Sequence, residues 1–136
     1  MAGSDLAMLR ILIVEDHPGM RMIIKQMLKA GGVRKIEEAS DGAEALERLH
    51  DPRSEPPDLI ISDLHMDKLD GIGLCNAVRR DQKSKIRGIP ILILTGEEDE
   101  FVHEVAEQVG AARILTKPVS AAKLFECVGW AVGFTA

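Results

Sequence analysis

Residues 9–32, LRILIVEDHPGMRMIIKQMLKAGG, decide the fold. Leu9–Val14 is an aliphatic, β-branched run with the composition of a buried strand. Met20, Ile23, Ile24, Met27 and Leu28 then recur at i, i+3, i+4, i+7 and i+8, the face of one helix. Gly31 and Gly32 stop that helix. A strand that feeds a helix through the polar link Glu15–Pro18 is one β/α unit, and the rest of the chain repeats the pattern.

Val33–Ala39 reads as a weaker strand whose charges suit a sheet edge. Asp41 caps a helix, Glu44 completes a capping box, and Ala45, Leu46 and Leu49 supply its apolar side. The three prolines of Asp51–Pro57 (DPRSEPP) make a loop. Leu59, Ile60 and Ile61 form a third strand, and Asp70 caps a helix bearing Ile72, Leu74, Ala77 and Val78. A charged connector, Asp81–Gly88, leads to a fourth strand at Ile89–Leu94. Phe101, Val102, Val105 and Val109 line a fourth helix. Ala112–Leu115 is a fifth strand, and Ser120 caps a last helix that runs to about Val132. Strands alternating with helices predict one α/β domain with a parallel sheet covered on both faces. The expected boundaries are 1–8 for an N-terminal extension, 9–132 for the domain and 133–136 for a C-terminal tail.

Composition narrows the function. The chain has 136 residues, room for one domain, and 46% of them are apolar, enough to bury a core. Its 22 acidic against 17 basic residues give a net charge of -5, which disfavours binding nucleic acid by bulk charge. There is no Tyr and aromatics make up 3%, so base-stacking platforms are not expected. Cys75 and Cys127 are too few for a disulfide framework and read as reduced thiols. No aliphatic run approaches a membrane span, and no targeting segment is visible. A soluble, cytoplasmic protein is expected.

In a doubly wound sheet, ligands sit beyond the carboxyl ends of the strands. Those ends read Glu15-Asp16, then Asp63, Thr95 and Lys117, with spacings of 47, 32 and 22 residues from Asp16 onward. Each has an ordinary reading alone: Asp16 as a helix cap before Pro18, Asp63 as a loop residue, Thr95 before Gly96 as a turn, Lys117 as a solvated side chain. Jointly they bring three carboxylates, a hydroxyl and an amine to one rim. Like charges so crowded call for a cation. An oxygen-only ligand set suits Mg²⁺, and a carboxylate beside it is a nucleophile toward phosphorus.

Four motifs carry a resemblance: ILIVEDH (Ile11–His17), DLIISDLHMDKLDG (Asp58–Gly71), ILILTGEED (Ile91–Asp99) and GAARILTKP (Gly110–Pro118). The chain resembles the receiver domain of bacterial two-component response regulators, and it is similar to the stand-alone chemotaxis type. The resemblance implies a flavodoxin-like (βα)5 three-layer sandwich with strand order 2-1-3-4-5. It implies Asp63 as phosphoacceptor. Mg²⁺, with Mn²⁺ as a substitute, would be held by Asp16, by Glu15 mainly through water, by Asp63 and by the backbone carbonyl of His65. Thr95 and Lys117 would contact phosphoryl oxygens, Gly96 would leave room for the group, and a cis bond is expected between Lys117 and Pro118. The donor would be a histidine kinase or phosphotransfer protein. Because the chain stops shortly after the last helix, output is expected through contact with a downstream protein target rather than an attached effector.

Several positions depart from the family pattern. Ile114 stands where an aromatic switch residue is usual, which puts the usual readout in question. His65 and Glu97 flank the expected path of attacking water and are candidates for tuning phosphoryl lifetime. Asp67 replaces a frequent proline, and His17 reads as a rim residue. On the last helix, Ala121, Leu124, Phe125, Val128 and Val132 make a core stripe. Trp130 lies opposite, flanked by Cys127 and Phe134, which makes these three candidates for an interface. That interface, and a possible homodimer, would use the face of the fourth helix, fifth strand and fifth helix. Three other functions fit the residues less well. An aspartyl-phosphate hydrolase would need D-x-D after the strand, whereas Asp63 and Asp67 are four apart. A receiver-shaped interaction module without phosphorylation is disfavoured by the intact acidic, threonine and lysine positions. Nucleotide binding fails because Asn76 stands where a third glycine is needed.

Overall fold

The computed structural model describes residues 6–96 and 98–133. Its elements in chain order are β1 (Arg10–Val14), α1 (Pro18–Ala30), β2 (Lys35–Ala39), α2 (Gly42–His50), β3 (Leu59–Asp63), α3 (Gly71–Arg79), β4 (Ile91–Thr95), α4 (Glu100–Gln108), β5 (Arg113–Thr116) and α5 (Ala121–Val132). The five strands are all parallel, in the order β2-β1-β3-β4-β5. This is the flavodoxin-like arrangement expected.

Period-two alternation divides the sheet's side chains between two cores. Leu12, Val14, Ile60, Ile91 and Ile93 face Ala45 and Leu49 of α2, Leu74, Cys75 and Val78 of α3, and Ala106 of α4. Ile11, Ile13, Leu59, Ile61, Leu92 and Leu94 face Ile24 and Leu28 of α1 and Leu124, Cys127 and Val128 of α5. Burying an Ile or Leu side chain contributes about 1.5–3 kcal/mol, so these two layers dominate the stability.

Capping fixes where the helices begin. Asp41, Asp70 and Ser120 accept from the backbone N–H groups of Glu44, Gly73 and Lys123, as their positions predict. Glu44 reaches back to the Ser40 N–H, one residue before the cap. At α1 the cap is His17, whose Nδ1 accepts from the Met20 N–H, so Asp16 is left uncommitted.

Some expected burial is corrected. Cys127 is not on the outer side of α5; it is fully buried with Leu124 and Val128. The helix packs over the sheet and α1 together, so its buried arc turns toward Cys127, while Ala121 is exposed. Trp130 remains outside the core, 53% exposed. Phe134 lies outside the described residues. Ile23 (47% exposed) and Phe101 (68%) also leave the predicted stripes, and Ala106 is the buried anchor of α4. Within the connector Asp81–Gly88, a helical turn at Ser84–Arg87 buries Ile86.

Two close approaches tie helices to one another and to the connecting segments. Gly31 ends α1 where an added Cβ would stand 1.9 Å from the Phe125 ring of α5. The Arg79 guanidinium, at the end of α3, donates to the carbonyls of Arg87, Ile89 and Gly110. Gly110 has φ of +105°, and a Cβ there would lie 2.7 Å from Arg79.

Candidate functional site at the carboxyl ends of the strands

The strand order reverses between β1 and β3, which opens a crevice beyond their carboxyl ends. Glu15 and Asp16 follow β1 directly, and Asp63 is the last residue of β3. One carboxylate oxygen from each of the three lies within 4.8 Å of the others. Thr95 ends β4 and is buried, and Lys117 follows β5. The Lys117 backbone N–H donates to the Thr95 carbonyl at 2.7 Å, and the Lys117–Pro118 bond is cis.

The ammonium of Lys117 bridges two carboxylates. It lies 2.8 Å from Asp63 Oδ1 and 3.4 Å from Glu15 Oε1. Glu15 is 1% exposed, and its Oε2 has no hydrogen-bond partner among the described residues. Burial, then the nearby Asp63 charge, pushes the Glu15 carboxyl up to about 7, although Lys117 pulls the other way. Burial lowers the Lys117 ammonium, but the Asp63 and Glu15 carboxylates outweigh it and hold it above the usual lysine range.

This donor set fits a small divalent cation. All three side chains offer oxygen, as Mg²⁺ requires, and a buried carboxylate oxygen without a donor is what a cation would satisfy. Asp16 and His65 are exposed at the rim. An ideal Cβ built on Gly96 meets nothing within 4 Å, so neither packing nor a positive φ explains a glycine there.

The loop after Asp63 is held by contacts the sequence reading did not single out. A Cβ on Gly71 would come within 2.6 Å of the Asp63 carbonyl, so a glycine lets α3 begin against the strand end. Gly71 N–H donates to the Leu64 carbonyl, and Gly42 N–H to that of Leu69. Buried Ser62 donates to the Asp63 carbonyl at 2.9 Å. The signal for Gly71 was its place directly after the cap Asp70.

The remaining candidates lie apart from this rim. Ile114 on β5 is half-buried against the core of β1, β3 and β4. It lines a cleft of about 410 Å³ with His103, Glu107, Arg113 and Trp130. Arg113 stacks on Trp130, its guanidinium carbon 4.3 Å from the ring centroid, so one face of that aromatic is covered. Glu97 lies outside the described residues.

A parallel five-stranded sheet with acidic groups at its switch point and a lysine reaching across to the β3 aspartate defines a receiver-type signalling domain. Residues 11–129 match the response regulator receiver domain, and the chain belongs to that family. It is 33% identical over 116 residues to a probable chemotaxis protein CheY of Rhizobium etli, covering 85% of this chain and 86% of that one. It is 36% identical over 111 residues to the alkaline phosphatase synthesis transcriptional regulatory protein PhoP of Bacillus subtilis. That match covers 82% of this chain and spans 43% of PhoP. Among solved structures, the receiver domain of the Pseudomonas aeruginosa sensor histidine kinase PA1611 superposes with a TM-score of 0.79 at 29% identity. The match covers 92% of this chain and 98% of that domain, which has a magnesium ion coordinated in its active-site cleft. No helix among the described residues is long and apolar enough to cross a membrane.

Proposed function

We propose that this receiver domain accepts a phosphoryl group on Asp63 from the phosphohistidine of a histidine kinase or phosphotransfer protein, in a reaction that requires Mg²⁺. The observation that carries the reading is the Lys117 ammonium 2.8 Å from Asp63 Oδ1, beside Glu15 and Asp16. Glu15, Asp16 and Asp63, with the backbone carbonyl of His65, would hold the ion. When bound, Mg²⁺ supplies the positive charge that offsets the carboxylates and the incoming phosphoryl oxygens.

Asp63 supplies the nucleophilic carboxylate. Its oxygen bonds to phosphorus while the phosphorus–nitrogen bond breaks, and the freed imidazole keeps the electron pair and takes a proton from solvent. Lys117 orients Asp63 and is placed to pair with phosphoryl oxygens, and the Thr95 hydroxyl donates to another. The open space beside Gly96 admits the group. Such transfer depends on positioning and charge compensation, and this rim offers both. The chain works as a phosphoacceptor, with no catalytic turnover beyond forming and losing its own acyl phosphate.

Output is a change of binding surface for a downstream protein or a second copy, on the face of α4, β5 and α5 that holds Trp130. Ile114 repacks there in place of an aromatic switch. His65 and Glu97 tune how long the acyl phosphate lasts. The test is incubation with acetyl phosphate and Mg²⁺, read by intact-protein mass. Wild type gains one phosphoryl group, and neither Asp63→Asn nor a chelator-treated sample does. Equal modification of Asp63→Asn overturns the assignment.

A further inference from the structure

Arg21 stands in the first turn of α1, a turn with no acidic residue. A cation is unfavourable there, because the helix dipole puts positive charge at that end. Two acceptors outside the helix offset this. Arg21 Nη1 donates to the Glu15 backbone carbonyl at 2.7 Å, and Nε donates to Glu38 Oε1 at 3.1 Å. Glu38, on the edge strand β2, is also held by Lys25 Nζ at 2.9 Å.

The Glu15 carbonyl belongs to the peptide that joins Glu15 to Asp16. On its other side, the Glu15 N–H donates to the Ala39 carbonyl of β2 at 3.0 Å. The ψ angle of Glu15 and the φ angle of Asp16, which flank this peptide, set how the two carboxylates are directed relative to each other, so tethering the carbonyl restricts both. One carboxylate is buried with an unpartnered oxygen and the other is exposed at the rim. Arg21 therefore fixes the plane on which two of the three acidic groups depend, and Glu38 fixes Arg21. Lysine could not do the same, because a single ammonium lacks the guanidinium's fork.

We propose that Arg21 is a positioning residue for divalent-cation binding, acting through the Glu15 carbonyl without touching the ion. The proposal rests on the reading of Glu15, Asp16 and Asp63 as the cation site. Groups that orient metal ligands typically carry about ten- to hundredfold of the affinity.

Charge alone predicts the opposite sign. Removing a nearby cation should strengthen Mg²⁺ binding, whereas releasing the peptide plane should weaken it. The experiment is a calorimetric Mg²⁺ titration of the full chain, comparing wild type, Arg21→Gln, Arg21→Lys and Glu38→Gln. Arg21→Gln should raise the Kd about tenfold. Arg21→Lys should recover only part of the loss although it keeps the charge, and Glu38→Gln should show a smaller loss. At saturating Mg²⁺ the acetyl phosphate reaction of Arg21→Gln should return to within about threefold of wild type, separating ion affinity from phosphoryl transfer. An Arg21→Gln Kd equal to or below wild type overturns the proposal. If that variant does not fold, an Arg21→Lys Kd equal to wild type overturns it. Failure of wild type itself to bind Mg²⁺ overturns instead the reading of the site on which the proposal rests.

Discussion

The two ends of the sheet treat charge differently. At the amino ends of β1 and β3, opposite charges meet: Arg10 pairs with Glu55 at 3.2 Å, and its backbone N–H donates to Asp58 at 2.9 Å. Arg10, Arg34 and Lys35 share a cleft there with Glu37 and Glu55. At the carboxyl ends, three carboxylates share one lysine, and a buried oxygen of Glu15 is left without a donor. The first end is neutralised and exposed. The second holds uncompensated charge, which costs stability and creates the capacity to bind a cation and a phosphoryl group.

The largest break in this contrast should come from Lys117. Lys117→Met removes the cation that bridges Asp63 and Glu15 at the acidic end. Acyl-phosphate formation from acetyl phosphate should slow about a hundredfold, the size expected for a lost charge-stabilising donor. A rate within about threefold of wild type would deny Lys117 its role.

Glu15 sharpens the contrast through pH. Its carboxyl titrates at about 7 in the folded, metal-free protein against 4.5 as the ordinary value. The folded state therefore holds this proton more tightly than the unfolded state. That contribution is fully present below about pH 4.5 and is lost as pH rises through about 7. The loss is on the order of 3 kcal/mol. Lys117 stays charged across this window, since its ammonium is raised. In chelator, the Tm should fall between pH 5 and 8, and Mg²⁺ should reverse the fall. Glu15→Gln should flatten the profile and raise the Tm at pH 8 while weakening Mg²⁺ binding. A pH-independent wild-type Tm would remove the argument.

The smallest effect belongs to the neutralised end. Glu55→Ala breaks an exposed pair and should cost less than about 1 kcal/mol in urea unfolding, with Mg²⁺ affinity unchanged. A loss of Mg²⁺ affinity there would end the distinction between the two ends.

Much of the acidic end was legible because strand composition stops abruptly at a polar residue. Glu15, Asp63, Thr95 and Lys117 each follow or close an aliphatic run, so the strand ends could be aligned without knowing distances. The caps Asp41, Asp70 and Ser120 were legible for a similar reason, since a capping bond spans three residues. Cys127, Ile23 and Phe101 were not. Helical spacing gives a stripe but not how the helix sits on the sheet, and a small rotation exchanges Ala121 for Cys127. The roles of Arg21 and Gly71 were hidden because each acts on a backbone carbonyl, which carries no side-chain identity. His17 as the cap of α1 was masked by the acidic neighbour that seemed better suited to the task.

The Arg79 clamp has a mechanical consequence. It fastens the Gly110 carbonyl, just past the end of α4, to the same guanidinium that holds Arg87 and Ile89. The clamp thus holds helix α4 at its carboxyl end, as a fulcrum at Gly110 would hold a lever. At about 1.5 Å of rise per residue, its nine residues span about 13 Å. A tilt too small to disturb the clamp is magnified along that arm and is largest at exposed Phe101, the end nearer the acidic rim.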